Sequence, residues 1–330
     1  MPDILLGNGK CFPATLGVSI LDSARLCGLT LDHSCATGRC GICKARLLSG
    51  SVRNLGRTEA LTPHEEMDGL ILTCRASALT DIHISVDDLG LPANIVRKTL
   101  PVRIASIEAL LPDVVRVRLR LPPTANFSYV SGQYVNVIGP MGIRRSYSIA
   151  NAPAPDGHLE LHIGRVPGGK MCAYWFEKAQ ANDLLRIDGP IGTFFHRGDT
   201  KNTILLATGT GYAPAKAILE DLARKQWKGH TLLLWGTRHA FDHYDVPTFP
   251  DMDFTYVPVA SRSAPADMAL GHVQDILLER GLDVSNVVVY ACGSDNMIAS
   301  ARSSLLAVGL DPRAFHSDAF VSSSPESDGI

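Results

Sequence analysis

No run of apolar residues in this chain approaches the ~20 that a membrane-crossing helix needs, and the N-terminus lacks a basic segment followed by a long apolar core. Neither sign of charge is in excess. A formal net charge of -2 over 330 residues gives no broad basic surface, which argues against general attraction to nucleic acid or to an anionic membrane. A disulfide framework is missing too: Cys11, Cys27, Cys172 and Cys292 are scattered through apolar or glycine-rich settings without framework spacing. That usage suits a reducing compartment, and buried free thiols are the expectation for Cys11 and Cys27. Together these absences indicate a cytoplasmic protein with no nucleic-acid or membrane partner. The 45% apolar and 19% charged content is ordinary for a globular protein, and the length predicts two or three domains.

The other four cysteines are not scattered. Cys35, Cys40 and Cys43 follow the spacing C-x4-C-x2-C, and Cys74 supplies a fourth thiol. This is the plant-type spacing for a two-iron two-sulfur (2Fe-2S) cluster, so all four are candidate metal ligands. A short loop that turns three thiolates inward needs residues that take positive φ and allow close backbone approach, and Gly38 and Gly41 meet that need. The alternative is a structural zinc site, whose ligands usually come as C-x2-4-C pairs rather than three in nine residues.

Around this loop, residues 3–12 read as a hairpin about Gly7-Asn8-Gly9, and residues 19–27 as a helix with Ser19 and Asp22 in capping-box spacing. Strands are expected at 44–48, 70–73 and 81–86, and Thr62-Pro63-His64-Glu65 starts a short helix. From Asp87 to Pro101 the periodicity fades and Gly90, Pro92 and Pro101 enter, which marks a domain boundary. The expected organisation is an iron–sulfur domain at 1–88 and a linker at 89–100. The order of elements before the boundary resembles the ferredoxin β-grasp fold.

Short strands at 102–107, 114–121, 133–138, 144–150 and 158–166, separated by Pro and Gly turns, predict an antiparallel β-barrel over 101–198. Within it, Arg144-Arg145-Ser146-Tyr147-Ser148 places an arginine, an aromatic and a hydroxyl along one strand. Strand alternation is expected to turn them to one side, where Arg145 meets a phosphate, Tyr147 a flat ring and Ser148 supplies its hydroxyl. R-x-Y-S resembles the flavin signature of the ferredoxin-NADP reductase family. In that family the stretch matching Gly168, Gly169, Lys170, Met171 and Cys172 opens a helix over the flavin pyrophosphate, as a helix N-terminus can. Cys172 stands where relatives usually carry Ser or Thr.

After Gly189–Phe195, read as the turn closing the barrel, the chain becomes α/β. An apolar strand at 203–208, a turn with Gly209, Thr210, Gly211 and Pro214, and a helix at 215–225 form a pyrophosphate-binding order. The fingerprint G-x-G-x-x-G is absent; the turn resembles the reductase family's G-x-G-x-x-P, in which Pro214 starts the helix and Thr208 replaces a common glycine. Further strands at 230–235, 254–259 and 287–291, with helices at 273–280 and 296–306, predict a doubly wound parallel sheet over 199–322, followed by a polar tail at 323–330. Cys292 and Gly293 close its last predicted strand. By resemblance Cys292 lies near the nicotinamide, against the alternative of a buried core thiol. The segment ending in Asp318-Ala319-Phe320 resembles the family's close, whose acidic and aromatic residues approach the flavin.

The resemblance covers essentially the whole chain and implies an iron–sulfur flavoprotein oxidoreductase. It passes electrons from NADH or NADPH through FAD and the 2Fe-2S cluster to an acceptor protein, with no general acid, base or nucleophile of its own. Two branches share this order: reductase components of aromatic-ring oxygenases and monooxygenases, and reductases serving pyridoxamine-phosphate-dependent sugar dehydrases. Residues 119–125, 144–153, 189–195, 290–294, 297–298 and 317–321 look most like the sugar branch. A flavin- and cluster-bearing redox sensor without nicotinamide turnover is the reading from a different class. Arg238 and Asp242 both follow the second strand of the nucleotide domain, which leaves both nicotinamides open. Arg39, beside the cluster loop, is either a partner contact or a solvated charge.

Overall fold

The structure, a computed structural model, describes residues 1–91, 95–198, 202–281 and 283–320. The chain divides into two compact units, Met1–Ile95 and Val96–Ile330.

In the first unit, β1 (Asp3–Leu5) and β2 (Cys11–Pro13) form the expected hairpin, and α1 (Ile20–Leu26) follows. Ser19 caps α1 by accepting from the Asp22 amide, while the Asp22 carboxylate turns to the Ser19 hydroxyl instead of its backbone. Then come β3 (Lys44–Ser49), β4 (Val52–Asn54), α2 (Pro63–Met67), β5 (Leu70–Leu72), β6 (Ala76–Ala78) and β7 (Ile82–Ile84). Thr62 and Glu65 complete a reciprocal capping box on α2. A mixed sheet in the order β2-β1-β7-β3-β5, parallel between β1 and β7, packs α1 against a core that includes Ile4, Ile20, Leu72 and Ile84. The β4–β6 ribbon lies apart from it. Cys11 and Cys27 are exposed, not core. Cys11 opens an edge strand whose neighbour Phe12 is the residue that points inward, and Cys27 caps the exposed end of α1.

The second unit opens with β8 (Lys98–Leu111), so the last residues of the expected 89–100 linker are strand. Lys98, Thr99 and Leu100 are drawn into the sheet by pairing with Gly189, Asp188 and Ile187. β9 (Val114–Arg120), β10 (Tyr134–Ile138), β11 (Arg144–Ser148), β12 (His158–Gly164), α3 (Lys170–Glu177) and β13 (Leu184–Ile191) follow. The six strands form an antiparallel sheet in the order β11-β10-β13-β8-β9-β12. Its end strands meet through a bridge between Ile149 and Leu161 and the bond from Ala150 N to Glu160 O, so the sheet curls on itself around a core that includes Val117, Val137, Leu161 and Trp175. Gly189 and Pro190, read from sequence as part of a turn, lie inside β13. They fit where the β10–β13 register shifts, and a side chain at Gly189 would press on Val135.

The chain continues as β14 (Asn202–Thr208), α4 (Tyr212–Arg224), β15 (Thr231–His239), β16 (Phe254–Ser263), β17 (Ala269–Leu270), α5 (Val273–Glu279), β18 (Val287–Gly293), α6 (Asp295–Ala307) and β19 (Phe315–Ala319). The strands pair in parallel in the order β17-β16-β15-β14-β18-β19. Alternation sends Ile204 and Leu206 into a core with α5 and α6, and Leu205 and Ala207 into one with α4. α4 begins at Tyr212, two residues before Pro214, which sits in the first turn where its missing N–H costs nothing. The expected tail at 323–330 and the expected start of the nucleotide domain at residue 199 lie outside the described residues.

Candidate functional site

The cysteine loop runs from α1 to β3, and β3 pairs with β5 so that the Thr73 amide bonds Cys43 O at 3.0 Å. This register brings the turn bearing Cys74 to the end of the loop, with the two sulfurs 3.1 Å apart. Cys35 and Cys40 form a second pair: the Cys40 thiol donates to Cys35 and draws its pKa down to about 4. In the same way the Cys43 thiol lowers that of Cys74. Loop amides also point at sulfur, those of Thr37 and Arg39 at Cys35, of Ile42 at Cys40 and of Gly38 at Cys74. A Cβ on Gly38, at φ +84, would lie 2.4 Å from Arg57 O, so the loop closes only around glycine. Among the described residues no three His, Cys, Asp or Glu side chains converge on one ion position. Two thiol pairs ringed by amides fit a two-iron cluster, in which each iron takes two thiolates, better than one tetrahedral zinc. Arg39 is paired with Glu59 at 3.2 Å.

On β11, Arg145 and Tyr147 are half-buried on one face. Ser148 is buried on the other face, because strand parity separates neighbours; the three do not face one way as the sequence reading had it. The neighbouring arginine is committed elsewhere: Arg144, like Arg97, pairs with the buried Asp188. The Tyr147 hydroxyl accepts from Trp175 Nε1 of α3 at 3.0 Å, and burial pushes its pKa up, which keeps the phenol neutral. Gly168 takes φ +73 and Gly169 is the N-cap of α3, with no side chain capping the helix. No side-chain cap competes with an anion at that helix start. Met171 offers only its backbone there, since its side chain is buried in the barrel core. The Cys172 sulfur accepts from the Val166 amide at 3.2 Å, tying down the same loop rather than opening to a phosphate.

At the end of β14, Gly209 takes φ +53 and its carbonyl accepts from Trp235 Nε1 at 2.9 Å. A Cβ on Gly211 would lie 2.4 Å from Cys292 O, so the turn passes over the end of β18 only as glycine. Thr208, the departure from the family pattern, is accommodated: its hydroxyl accepts from Ser294 N at 3.1 Å above Gly293, where a side chain would collide with it. Cys292 is fully buried, and burial pushes its thiol pKa up. It donates to Gly211 O at 2.9 Å and so touches the turn from within the core. Phe320 is 40% exposed just past β19, its amide bonded to Gly293 O at 3.0 Å. Just past β15, Asp242 accepts from the His239 amide at 2.9 Å, while Arg238, expected after that strand, lies within its last residues and is exposed.

The sequence placed a strand at 158–166, now β12, but its polar residues were not among the candidates for the site. Its Leu159, Leu161 and Ile163 enter the barrel core, while Glu160, His162 and Gly164 face the nucleotide-binding part. Glu160 lies 3.1 Å from Lys216 of α4, His162 bonds Glu160 at 3.0 Å and Tyr244 at 3.2 Å, and Gly164 lies against Thr210. The alternation in His158–Gly164 was the available signal. A cavity of about 940 Å³ on the barrel, lined by Arg103, Arg120, Phe127 and His158 among others, includes none of the candidate cofactor residues. No helix among the described residues is long and apolar enough to cross a membrane.

Comparison with known proteins agrees with this layout. Residues 4–79 match the 2Fe-2S iron-sulfur cluster binding domain, 101–196 the oxidoreductase FAD-binding domain and 205–303 the oxidoreductase NAD-binding domain. The chain is 40% identical over 321 residues to a CDP-6-deoxy-L-threo-D-glycero-4-hexulose-3-dehydrase reductase of Yersinia pestis, covering 96% of this chain and 97% of that one. It is 32% identical to terephthalate 1,2-dioxygenase reductase component 1 of a Comamonas species, over 94% of this chain and 95% of that one. Among solved structures, the Amycolatopsis cytochrome P450 reductase GcoB is similar with a TM-score of 0.78 at 28% identity, covering 98% of this chain and 100% of that one. A ferredoxin reductase of carbazole 1,9a-dioxygenase follows at 0.69 and 26%, covering 97% and 98%. The chain therefore belongs to the NAD(P)H-dependent iron–sulfur flavoprotein reductases, oxidoreductases that join a 2Fe-2S domain to FAD- and NAD-binding domains and deliver electrons to an acceptor protein.

Proposed function

We propose that the acceptor is a CDP-6-deoxy-hexulose-3-dehydrase, a pyridoxamine-phosphate-dependent sugar dehydrase, and that this chain is its reductase in the making of 3,6-dideoxy sugars. The observation that carries the reading is the 40% identity to such reductases over nearly the full length, against 32% for the terephthalate dioxygenase component. Exposed free Cys11 and Cys27 support a cytoplasmic setting.

In this reading Cys35 and Cys40 hold one iron and Cys43 and Cys74 the other, within an iron–sulfur domain at 1–88. Arg145 and the amides of Gly168 to Cys172 hold the FAD pyrophosphate, Tyr147 lies against the flavin ring, and Ser148 backs the strand from its other face. The turn Gly209–Gly211, at the start of the helix carrying Pro214, holds the nicotinamide dinucleotide. Cys292 and Gly293 support that turn from below, and Phe320 flanks the flavin. When bound, the nicotinamide supplies a hydride, the flavin divides the electron pair and the cluster carries one electron at a time. The protein's part is to place the groups and shield them.

The test is an anaerobic assay driven by NADH, with purified reductase, the dehydrase and its CDP-4-keto-6-deoxyhexose. Formation of the 3-deoxygenated sugar is expected. Brisk reduction of cytochrome c with the sugar untouched would assign the chain to an oxygenase system. Binding of flavin and nucleotide without reduction would make it a redox sensor.

A further inference from the structure

Helix α4 begins at the turn read above as the nucleotide site, and a polar stripe along it grips the chain that continues from the flavin strand. Lys216, Glu220 and Arg224 recur every fourth residue and so share one face. Lys216 Nζ donates to Ala150 O at 3.2 Å and lies 3.1 Å from Glu160 Oε1 and 2.6 Å from Glu220 Oε1. Glu220 Oε2 accepts from the Ala152 amide at 2.9 Å, and Arg224 donates to Pro153 O. Ala150 and Ala152 are fully buried and stand just past Tyr147 and Ser148. Glu160 is buried too and also accepts from His162 and Arg118.

A buried carboxylate held by a half-buried lysine, with a second half-buried carboxylate beside it, is a costly way to hold two elements together, since apolar packing often serves as well or better. Ion pairs and hydrogen bonds add direction. They fix where along α4 the segment 150–153 sits, which an apolar contact leaves free to slide. We propose that Lys216, seconded by Glu220, is a positioning residue for hydride transfer: through Ala150, Ala152 and Glu160 it sets the approach of the nucleotide turn to the flavin strand. The inference rests on the reading of Gly209–Gly211 and β11 as the nucleotide and flavin sites. Lys216 touches neither group and acts through the backbone of 150–153 and through β12.

The experiment is anaerobic rapid-mixing reduction of the FAD-loaded protein by NADH for the natural chain and for Lys216→Met, Lys216→Arg and Glu220→Gln, together with hydrogen exchange of the Ala150 and Ala152 amides. For Lys216→Met the limiting rate of flavin reduction is expected to fall about tenfold to a hundredfold, the scale of a misplacement near 1 Å. The nucleotide concentration at half-maximal rate should change less than threefold, and the Ala152 amide should exchange faster. Lys216→Arg should restore most of the rate, and Glu220→Gln should lower it less than Lys216→Met does. Were Lys216→Met not to fold, the rate and exchange of Glu220→Gln would decide. An unchanged limiting rate, or a loss confined to nucleotide affinity, overturns the inference. Failure of NADH and NADPH to reduce the natural chain would instead overturn the assignment of the sites.

Discussion

At the residue scale, Cys43 and Cys74 are the proposed ligands of one iron. Cys43→Ala removes one thiol of a buried pair whose sulfurs are 3.1 Å apart, while the FAD-binding domain lies in the other compact unit. The variant is expected to purify with FAD and without iron or labile sulfide, as metal and flavin analyses would reveal; retention of a full cluster would remove Cys43 from the ligand set. Thr208 is the residue-scale counterpart in the nucleotide turn. Thr208→Val deletes the acceptor of the Ser294 amide and should cost about 1 kcal/mol, read as a small fall in the melting midpoint. The four cysteines stood out in the sequence because cluster chemistry calls for such a spacing, and the fold brings them together as two pairs. Cys11, Cys27 and Cys292 were less so, since nothing in the local sequence says whether a thiol ends on an edge, at a helix end or beneath a turn.

At the scale of elements, β12 and α3 carry polar contacts with measurable consequences. Burial pushes the Glu160 pKa up, but the bond from His162 and the charge of Lys216 outweigh it and hold it at about 2; burial also lowers the pKa of His162. Both folded values lie below the unfolded ones. The stabilisation is therefore complete above about pH 6.5, weakens first as His162 charges in the unfolded chain, and falls further between about pH 4.5 and 2 as carboxylates protonate. Glu160 contributes up to roughly 3 kcal/mol at neutral pH on this account. Melting curves from pH 8 to 4 should show that decline, and Glu160→Gln should flatten its acid limb; an acid limb that the substitution leaves unchanged would contradict the account. In α3, Trp175→Phe removes the donor to the Tyr147 hydroxyl, so flavin binding by the apoprotein is expected to weaken about fivefold to tenfold, about the worth of one hydrogen bond. Titration of FAD fluorescence measures it.

Elements with several residues of clear period were readable, such as β14 and α4. β4, β6 and β17 are too short to show a period. β13 was hidden because Gly189 and Pro190, which ordinarily punctuate turns, sit inside it where the ladder shifts register. The error at Ser148 was one of parity: adjacent residues on a strand cannot share a face.

At the scale of the whole molecule, the order of iron–sulfur, flavin and nucleotide parts was legible because each carries its own turn chemistry: the cysteine loop, R-x-Y-S with its glycine-led helix, and the glycine turn after β14. What joins the last two was not. Glu160, Lys216 and Glu220 are common surface residue types, and only the tertiary fold brings them together around the buried Glu160. The central claim is that electrons from a nicotinamide reach both the flavin and the cluster within one chain. It is tested most directly by anaerobic titration of the fully loaded protein with NADH while flavin and cluster absorbance are followed. A flavin takes two electrons and the cluster one, so both should bleach together with an end point near about 1.5 equivalents, and near about 1 in Cys43→Ala. If the flavin bleaches while the cluster stays oxidised, or if neither responds to NADH or NADPH, the account is contradicted.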